Sequence, residues 1–209
     1  MGVRTRIKIC GITQVEDARI AVELGADAIG LVFYAPSPRS IGFAQARAIV
    51  AAVAPFVTIV GLFVDPAPEQ VESALRACSL NLLQFHGAEA PEFCGRFGLP
   101  YIKAARVRAD TDLIQCLLPY HGAQGWLLDA YHDRLYGGTG ESFDWKLIPR
   151  DLARPVILSG GLRPDNVGAA VRQVRPWAVD VSSGVETAKG VKDAAKMAAF
   201  IAGVRNEDA

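Results

Sequence analysis

The chain lacks the features that mark out several protein classes. It has no excess of charge: Lys plus Arg and Asp plus Glu both number 22, and the formal net charge is +0. Neither a basic surface for nucleic acid nor an acidic tail is expected. The four cysteines, Cys10, Cys78, Cys94 and Cys116, form no CxxC pair and no cluster with histidine. A zinc site and a disulfide framework are therefore not expected, and a reducing cytoplasm is the expected home. No apolar run is long enough to cross a bilayer, so no membrane partner is expected. "MGVRTR" runs straight into a strand, without the pattern of a signal peptide. No Pro-, Ser- or Gly-rich linker divides the chain, which points to one domain over residues 1–209. The first strand–helix turn carries no GxGxxG, which counts against an open dinucleotide-binding sheet.

What is present is alternation. Eight short apolar or β-branched runs recur: "RIKICGI", "AIGLVFY", "TIVGLFVD", "LLQFHG", "YIKAARV", "GWLLDAY", "PVILSGG" and "AVDVSSGVE". Helical periodicity fills most of the gaps. Residues 14–25 place Val15, Ala18, Ile20, Val22 and Leu24 mostly on one stripe, with Gly25 as a stop. Residues 68–78 open on Pro68, which suits a first helical turn. "RPDNVGAAVRQVR" and "VKDAAKMAAFIAGVR" read as the last two helices. A strand about every 25 residues, each nearly all apolar, predicts a parallel sheet covered by helices, closed as a single (β/α)8 barrel.

In such a barrel the chemistry lies at the carboxyl ends of the strands. Cys10, Asp65, His86, Asp129, Ser159, Ser182 and Ser183 fall there, whereas Cys78, Cys94 and Cys116 fall in or beside helices and read as core filling. The turns "LSGGLRPDNV" and "DVSSGVE" follow the last two strands. Their glycines Gly160, Gly161 and Gly184 either permit tight turns or let backbone N–H groups approach a phosphate, helped by a helix starting just beyond. Asp129 ends an apolar strand, where a carboxylate is costly unless paired or at a mouth. The loop after it, with Gly137, Gly138 and Gly140, suits closure over a site. Arg39 lies in the proline-stiffened "YAPSPRSI", either solvated or holding a planar carboxylate. His86 is either a proton carrier or a structural histidine. Lys8 shares a strand face with Cys10, and Asp180 shares one with Ser182. The first and last strands are neighbours in a closed barrel, so a Lys8–Asp180 ion pair inside it is expected.

Taken together, "KICGIT", "GADAIGLVFYAPSPRSI", "VGLFVD", "LLQFHG", "LLDAY" with "YGGTGESFDW", "LSGGLRPDNV" and "VDVSSGVE" resemble the phosphoribosylanthranilate isomerase family of tryptophan biosynthesis. The segments span nearly the whole chain in family order. The resemblance implies a (β/α)8 barrel and an aldose–ketose type isomerase. The reaction would be the Amadori rearrangement of N-(5-phosphoribosyl)anthranilate to 1-(2-carboxyphenylamino)-1-deoxyribulose 5-phosphate. It implies Cys10 as general base, Asp129 as general acid and Arg39 as the holder of the anthranilate carboxylate. The backbone of Gly160, Gly161, Ser183 and Gly184 would form the phosphate site. Lys8, His86 and Asp180 are counted with the substrate site. Acid–base chemistry of this kind calls for no metal or organic cofactor. Lys8 is expected to draw the Cys10 thiol toward thiolate. The stretch His132–Arg134 is the least familiar part of the match. A monomer is expected rather than a dimer.

Two other readings compete. Another phosphosugar barrel would carry a pair of aspartates, or a lysine acid, where this chain has Cys10 and Asp129. A catalytically silent phosphate-binding barrel would not need either residue.

Overall fold

The computed structural model describes residues 4–208, apart from 109, 131–142 and 150. Eight parallel strands close into a barrel in sequence order. They are β1 (Arg6–Cys10), β2 (Ala28–Val32), β3 (Thr58–Phe63), β4 (Leu82–Phe85), β5 (Tyr101–Val107), β6 (Gly125–Ala130), β7 (Val156–Leu158) and β8 (Ala178–Val181). Each lies within one of the eight apolar runs. Such runs are almost continuously apolar because both faces of the sheet are buried.

Side-chain alternation sorts the core into layers. Ile102 and Ala104 of β5, Leu127 of β6, Ile157 of β7 and Ala178 of β8 cluster inside the barrel. Above them, Cys10, Val32, Leu62 and Val64 form a second inner cluster. The alternate residues, such as Ile9, Leu83, Phe85 and Leu128, pack outward against the helices.

The helices are α1 (Val15–Glu23), α2 (Phe43–Ala52), α3 (Pro68–Ala77), α4 (Pro91–Gly95), α5 (Leu113–Leu117), α6 (Val167–Val174) and α7 (Ala194–Asp208). Pro68 occupies the first turn of α3, where its missing N–H costs nothing. Two expected boundaries move. The last helix begins at Ala194 rather than Val191. Val191–Lys192 instead forms a short strand, β10, antiparallel to β9 (Glu186–Ala188). Asp193 then starts the helix by accepting the Lys196 N–H at 3.0 Å. The helix before it begins only at Val167, because Arg163–Asn166 is a turn in which Asn166 Oδ1 accepts the Arg163 N–H at 2.8 Å.

Of the helix-side cysteines, Cys78 and Cys94 are buried as expected, but Cys116 is exposed. On the single turn of α5, Leu113 and Leu117 take the inward positions four residues apart, which turns Cys116 out. Burial pushes the Cys94 thiol up to about 12, which makes it inert near neutrality.

Candidate active site

At the upper end of β1, Cys10 is 5% exposed and points into the barrel. Two glycines make its surroundings possible. A Cβ at Gly30, on the neighbouring β2, would lie 2.7 Å from Cys10 Sγ. Glycine in "AIGLV" thus leaves space for the thiol. Gly11 adopts φ +73°, and a Cβ there would lie 2.5 Å from Arg39 Cδ. The chain can therefore turn after the thiol while the Arg39 side chain crosses directly above.

Lys8 and Asp180 stand in register on β1 and β8. Lys8 Nζ donates to Asp180 Oδ1 at 2.7 Å, and both side chains are 6% exposed. The expected buried ion pair is present. Its expected pull on Cys10 is present as well, but it does not bring the thiol down. Burial of the sulfur dominates and pushes the thiol above its ordinary range; Lys8 pulls the other way, and Asp180 adds to the rise. Lys8 itself is desolvated, but Asp180 and Cys10 hold its pKa above the usual lysine value. The correction is one of magnitude: a cation already neutralised by Asp180 cannot offset complete removal of the thiolate from water.

Asp129, near the end of β6, is 3% exposed. Its Oδ1 accepts the Ala130 N–H at 2.9 Å. His86, just beyond β4, places Nε2 3.2 Å from Asp129 Oδ2. Among the described residues, Nε2 makes no hydrogen bond. The other ring nitrogen lies 3.1 Å from Gln84 Nε2. His86 is therefore brought to the Asp129 carboxylate, inside the barrel.

Asp129 also lines one small cavity together with Ser159, Gly160, Gly161, Asp180, Ser182 and Ser183. The two glycine turns and the carboxylate thus face the same space. Gly160 and Gly161 adopt φ +83° and +61°. A Cβ on Gly184 would fall 1.9 Å from the Leu162 carbonyl oxygen, so the second turn packs against the first with no room for a side chain. The expected helix start is displaced here. The second glycine turn itself folds as a 3₁₀ turn over Ser183–Val185 that contains Gly184, whereas α6 starts six residues after Gly161 and reaches back through Asn166 Nδ2, which donates to Gly161 O at 2.9 Å.

Of the two expectations for Arg39, solvation does not hold, and the carboxylate it grips is one of the chain's own. Its Nε and Nη2 donate to Glu186 Oε1 and Oε2 at 2.8 and 2.7 Å, and Arg39 is 7% exposed. Lys192 Nζ donates to the same Glu186 Oε1 at 2.8 Å. Arg39 and Lys192 hold the Glu186 carboxyl below the usual carboxylate range, even though burial opposes them.

Asp65 takes a structural role: its Oδ1 accepts the Ala88 N–H at 2.6 Å. Several further buried polar residues carry no motif of their own in the sequence. Glu186 and Lys192 belong to the Arg39 cluster. Lys103, on the outer face of β5, donates to Glu89 Oε2 at 2.6 Å, and Glu89 braces the loop carrying His86 by accepting the Gly87 N–H at 3.0 Å. A lysine in the middle of "YIKAARV" was the available signal, since a charge there requires a buried partner. Arg106 stands in register beside Asp129. Gly137, Gly138, Gly140 and the His132–Arg134 stretch lie outside the described residues. Among the described residues, no group of three His, Cys, Asp or Glu side chains is placed to hold a metal ion, and no helix is long and apolar enough to cross a membrane.

Comparison with known proteins finds relatives over nearly the whole chain. The family model for N-(5'-phosphoribosyl)anthranilate isomerase matches residues 7–203. An N-(5'-phosphoribosyl)anthranilate isomerase from Thiobacillus denitrificans is 61% identical over 196 residues, 94% of this chain and 96% of that protein. One from Nitrosospira multiformis is 59% identical over 199 residues, 95% of this chain and 96% of that protein. Among solved structures, the Thermotoga maritima phosphoribosyl anthranilate isomerase superposes with a TM-score of 0.89 at 43% identity, covering 97% of this chain and 99% of that one. A phosphoribosyl anthranilate isomerase in complex with reduced 1-(o-carboxyphenylamino)-1-deoxyribulose 5-phosphate superposes at 0.86 with 42% identity, covering 97% of this chain and 99% of that one. With the barrel, the inward thiol and carboxylate and these matches in hand, the chain belongs to the N-(5'-phosphoribosyl)anthranilate isomerase family.

Proposed function

We propose that this chain carries out the family's Amadori rearrangement with Cys10 as base and Asp129 as acid. The observation that carries the assignment is the shared cavity: Asp129 lies on the same wall as the two glycine turns, so a sugar phosphate seated in them brings its ring to the acid. Asp129 gives its proton to the ring oxygen. The C1–O4 bond breaks, and the anthranilate nitrogen lone pair forms an iminium. Cys10 thiolate removes the C2 proton, and that electron pair forms the C1=C2 enolamine. The ketone follows when C1 gains a proton and the C2 hydroxyl loses one. If Cys10 supplies the first and Asp129 takes up the second, both groups return to their starting states. Each residue stays within the chemistry of positioned acids and bases, with no cofactor called for.

Arg39 holds the carboxylate at the far end of the substrate. Glu186 uses only one edge of the guanidinium, Nε and Nη2. The Nη1–Nη2 edge remains a second fork of the right shape for a carboxylate. Arg39→Ala should cost roughly 1.5–3 kcal/mol, about tenfold to a hundredfold, in handling a carboxylated substrate. A substrate with hydrogen in place of the carboxylate should be handled alike by mutant and wild type. Equal losses on both substrates would remove Arg39 from the site.

The phosphate is assigned to the backbone of Gly160, Gly161, Ser183 and Gly184. Inorganic phosphate should compete with substrate. Gly184→Ala, which sets a methyl against the Leu162 carbonyl, should abolish that competition and raise KM more than it lowers kcat. Undiminished phosphate competition in the mutant would place the anion elsewhere. Every group assigned here comes from one chain, so we expect a monomer to be active, although the Thermotoga maritima relative is described as dimeric. The free cysteines fit a reducing cytoplasm.

A further inference from the structure

We propose that Glu186 is a positioning residue for substrate recognition, buttressed by Lys192, and that the pair sets Arg39 to discriminate for a carboxylated ring. This rests on Arg39 being the carboxylate holder. The three side chains are 9%, 6% and 0% exposed for Arg39, Glu186 and Lys192. They come from the loop after β2 and from the β9–β10 hairpin, which nothing in the acid–base chemistry requires. Glu186 occupies Nε and Nη2 of Arg39 and so fixes the plane of the guanidinium. No protein acceptor among the described residues takes Nη1, and Nη1 is not among the sealed-off unpartnered atoms. The outer fork is therefore held out in one orientation before substrate arrives.

Lys192 does two things. Its Nζ donates to Glu186 Oε1 at 2.8 Å, which keeps the carboxylate from swinging off Arg39. It also donates to the carbonyl oxygen of Ser182 at 3.1 Å, at the start of the second glycine turn. One ammonium thus links the carboxylate fork to the phosphate turn. The hairpin is anchored in turn, because the Lys192 N–H donates to Asp17 Oδ2 at 3.0 Å and Lys196 Nζ donates to Glu186 O at 2.7 Å. Glu186 occupies one edge of Arg39 and leaves the other edge for one incoming carboxylate. A guanidinium held in advance loses no rotamer freedom on binding, so the gain appears as affinity for the carboxylated ligand alone.

The test compares two inhibitors on the full chain: reduced 1-(o-carboxyphenylamino)-1-deoxyribulose 5-phosphate and its counterpart lacking the carboxylate. The readout is the ratio of their inhibition constants. Glu186→Asp keeps the charge but shortens the reach, so it breaks the two-point grip without changing the local charge. It should reduce the ratio about three- to tenfold, with affinity for the carboxylate-free inhibitor unchanged. Lys192→Met should reduce the ratio in the same direction, and it serves if the first variant fails to fold. An unchanged ratio, or equal weakening of both inhibitors, would overturn the proposal and leave the pair as scaffold. Arg39→Ala, run in parallel, separates the failures. If it lowers the ratio and Glu186→Asp does not, only the positioning role falls. If neither does, the assignment of Arg39 falls with it.

Discussion

Replacing Cys10 with alanine should lower kcat by about 100- to 10,000-fold, the range that positioned proton transfer supplies, while the reduced product analogue still binds. Full activity in that variant would end the mechanism. The size of the effect follows from the thiol's environment. An unperturbed thiol near 8.5 is about 3% thiolate at pH 7. Burial pushes Cys10 above its ordinary value, so the reactive fraction at neutrality is smaller still. The rate should therefore rise with pH past the ordinary thiol range, because the base becomes available only as its proton is lost. Alkylation of Cys10 by a small haloacetamide gives the direct measurement. Because Cys116 is exposed, it must be run in a Cys116→Ser background. The midpoint should lie above the free-thiol value. Lys8→Met alone would strand a buried Asp180, so Lys8→Met with Asp180→Asn is the informative pair. The thiol should move further up, since the lowering influence of Lys8 is larger than the raising influence of Asp180. An unchanged midpoint would dismiss Lys8 as an aid to the base.

Asp129→Asn should fall by a comparable factor, about 100- to 10,000-fold in kcat, because an amide of the same shape cannot deliver the proton that opens the ring. The two variants are told apart by a substrate carrying deuterium at C2. In Cys10→Ala the removal of that proton limits the rate, and a primary isotope effect is expected. In Asp129→Asn ring opening comes first and limits, so the effect should vanish. An isotope effect of equal size in both would mean that Asp129 does not act before the base.

Much of this was legible in the sequence, for identifiable reasons. The eight strands showed because a doubly covered parallel sheet has no polar face to interrupt its apolar runs. The Lys8–Asp180 pair showed because closure makes the first and last strands neighbours, and opposite charges on their inward faces then meet. The Arg39 cluster did not show. Arg39 and Glu186 are 147 positions apart, and Glu186 and Lys192 meet only because a two-residue strand pairs back on the chain. The same pairing delayed the start of the last helix. The sign of the Cys10 shift was also out of reach. Sequence identifies the lysine that lowers it, but the opposing push depends on how completely the sulfur is enclosed, and enclosure is a property of the closed barrel and of Gly30.

The enclosure that keeps the Cys10 thiol protonated has a consequence for the lifetime of the protein. Peroxides and electrophilic metabolites attack thiolates, not thiols, and sulfinic and sulfonic products are not recovered by ordinary thiol reductants. A resting chain that keeps this sulfur protonated and 5% exposed withholds it from such damage. Exposed Cys116 takes no part in the proposed chemistry, so oxidation there can proceed without touching the base. Under oxidant stress the first modified molecules should accordingly carry their lesion on α5 and retain turnover.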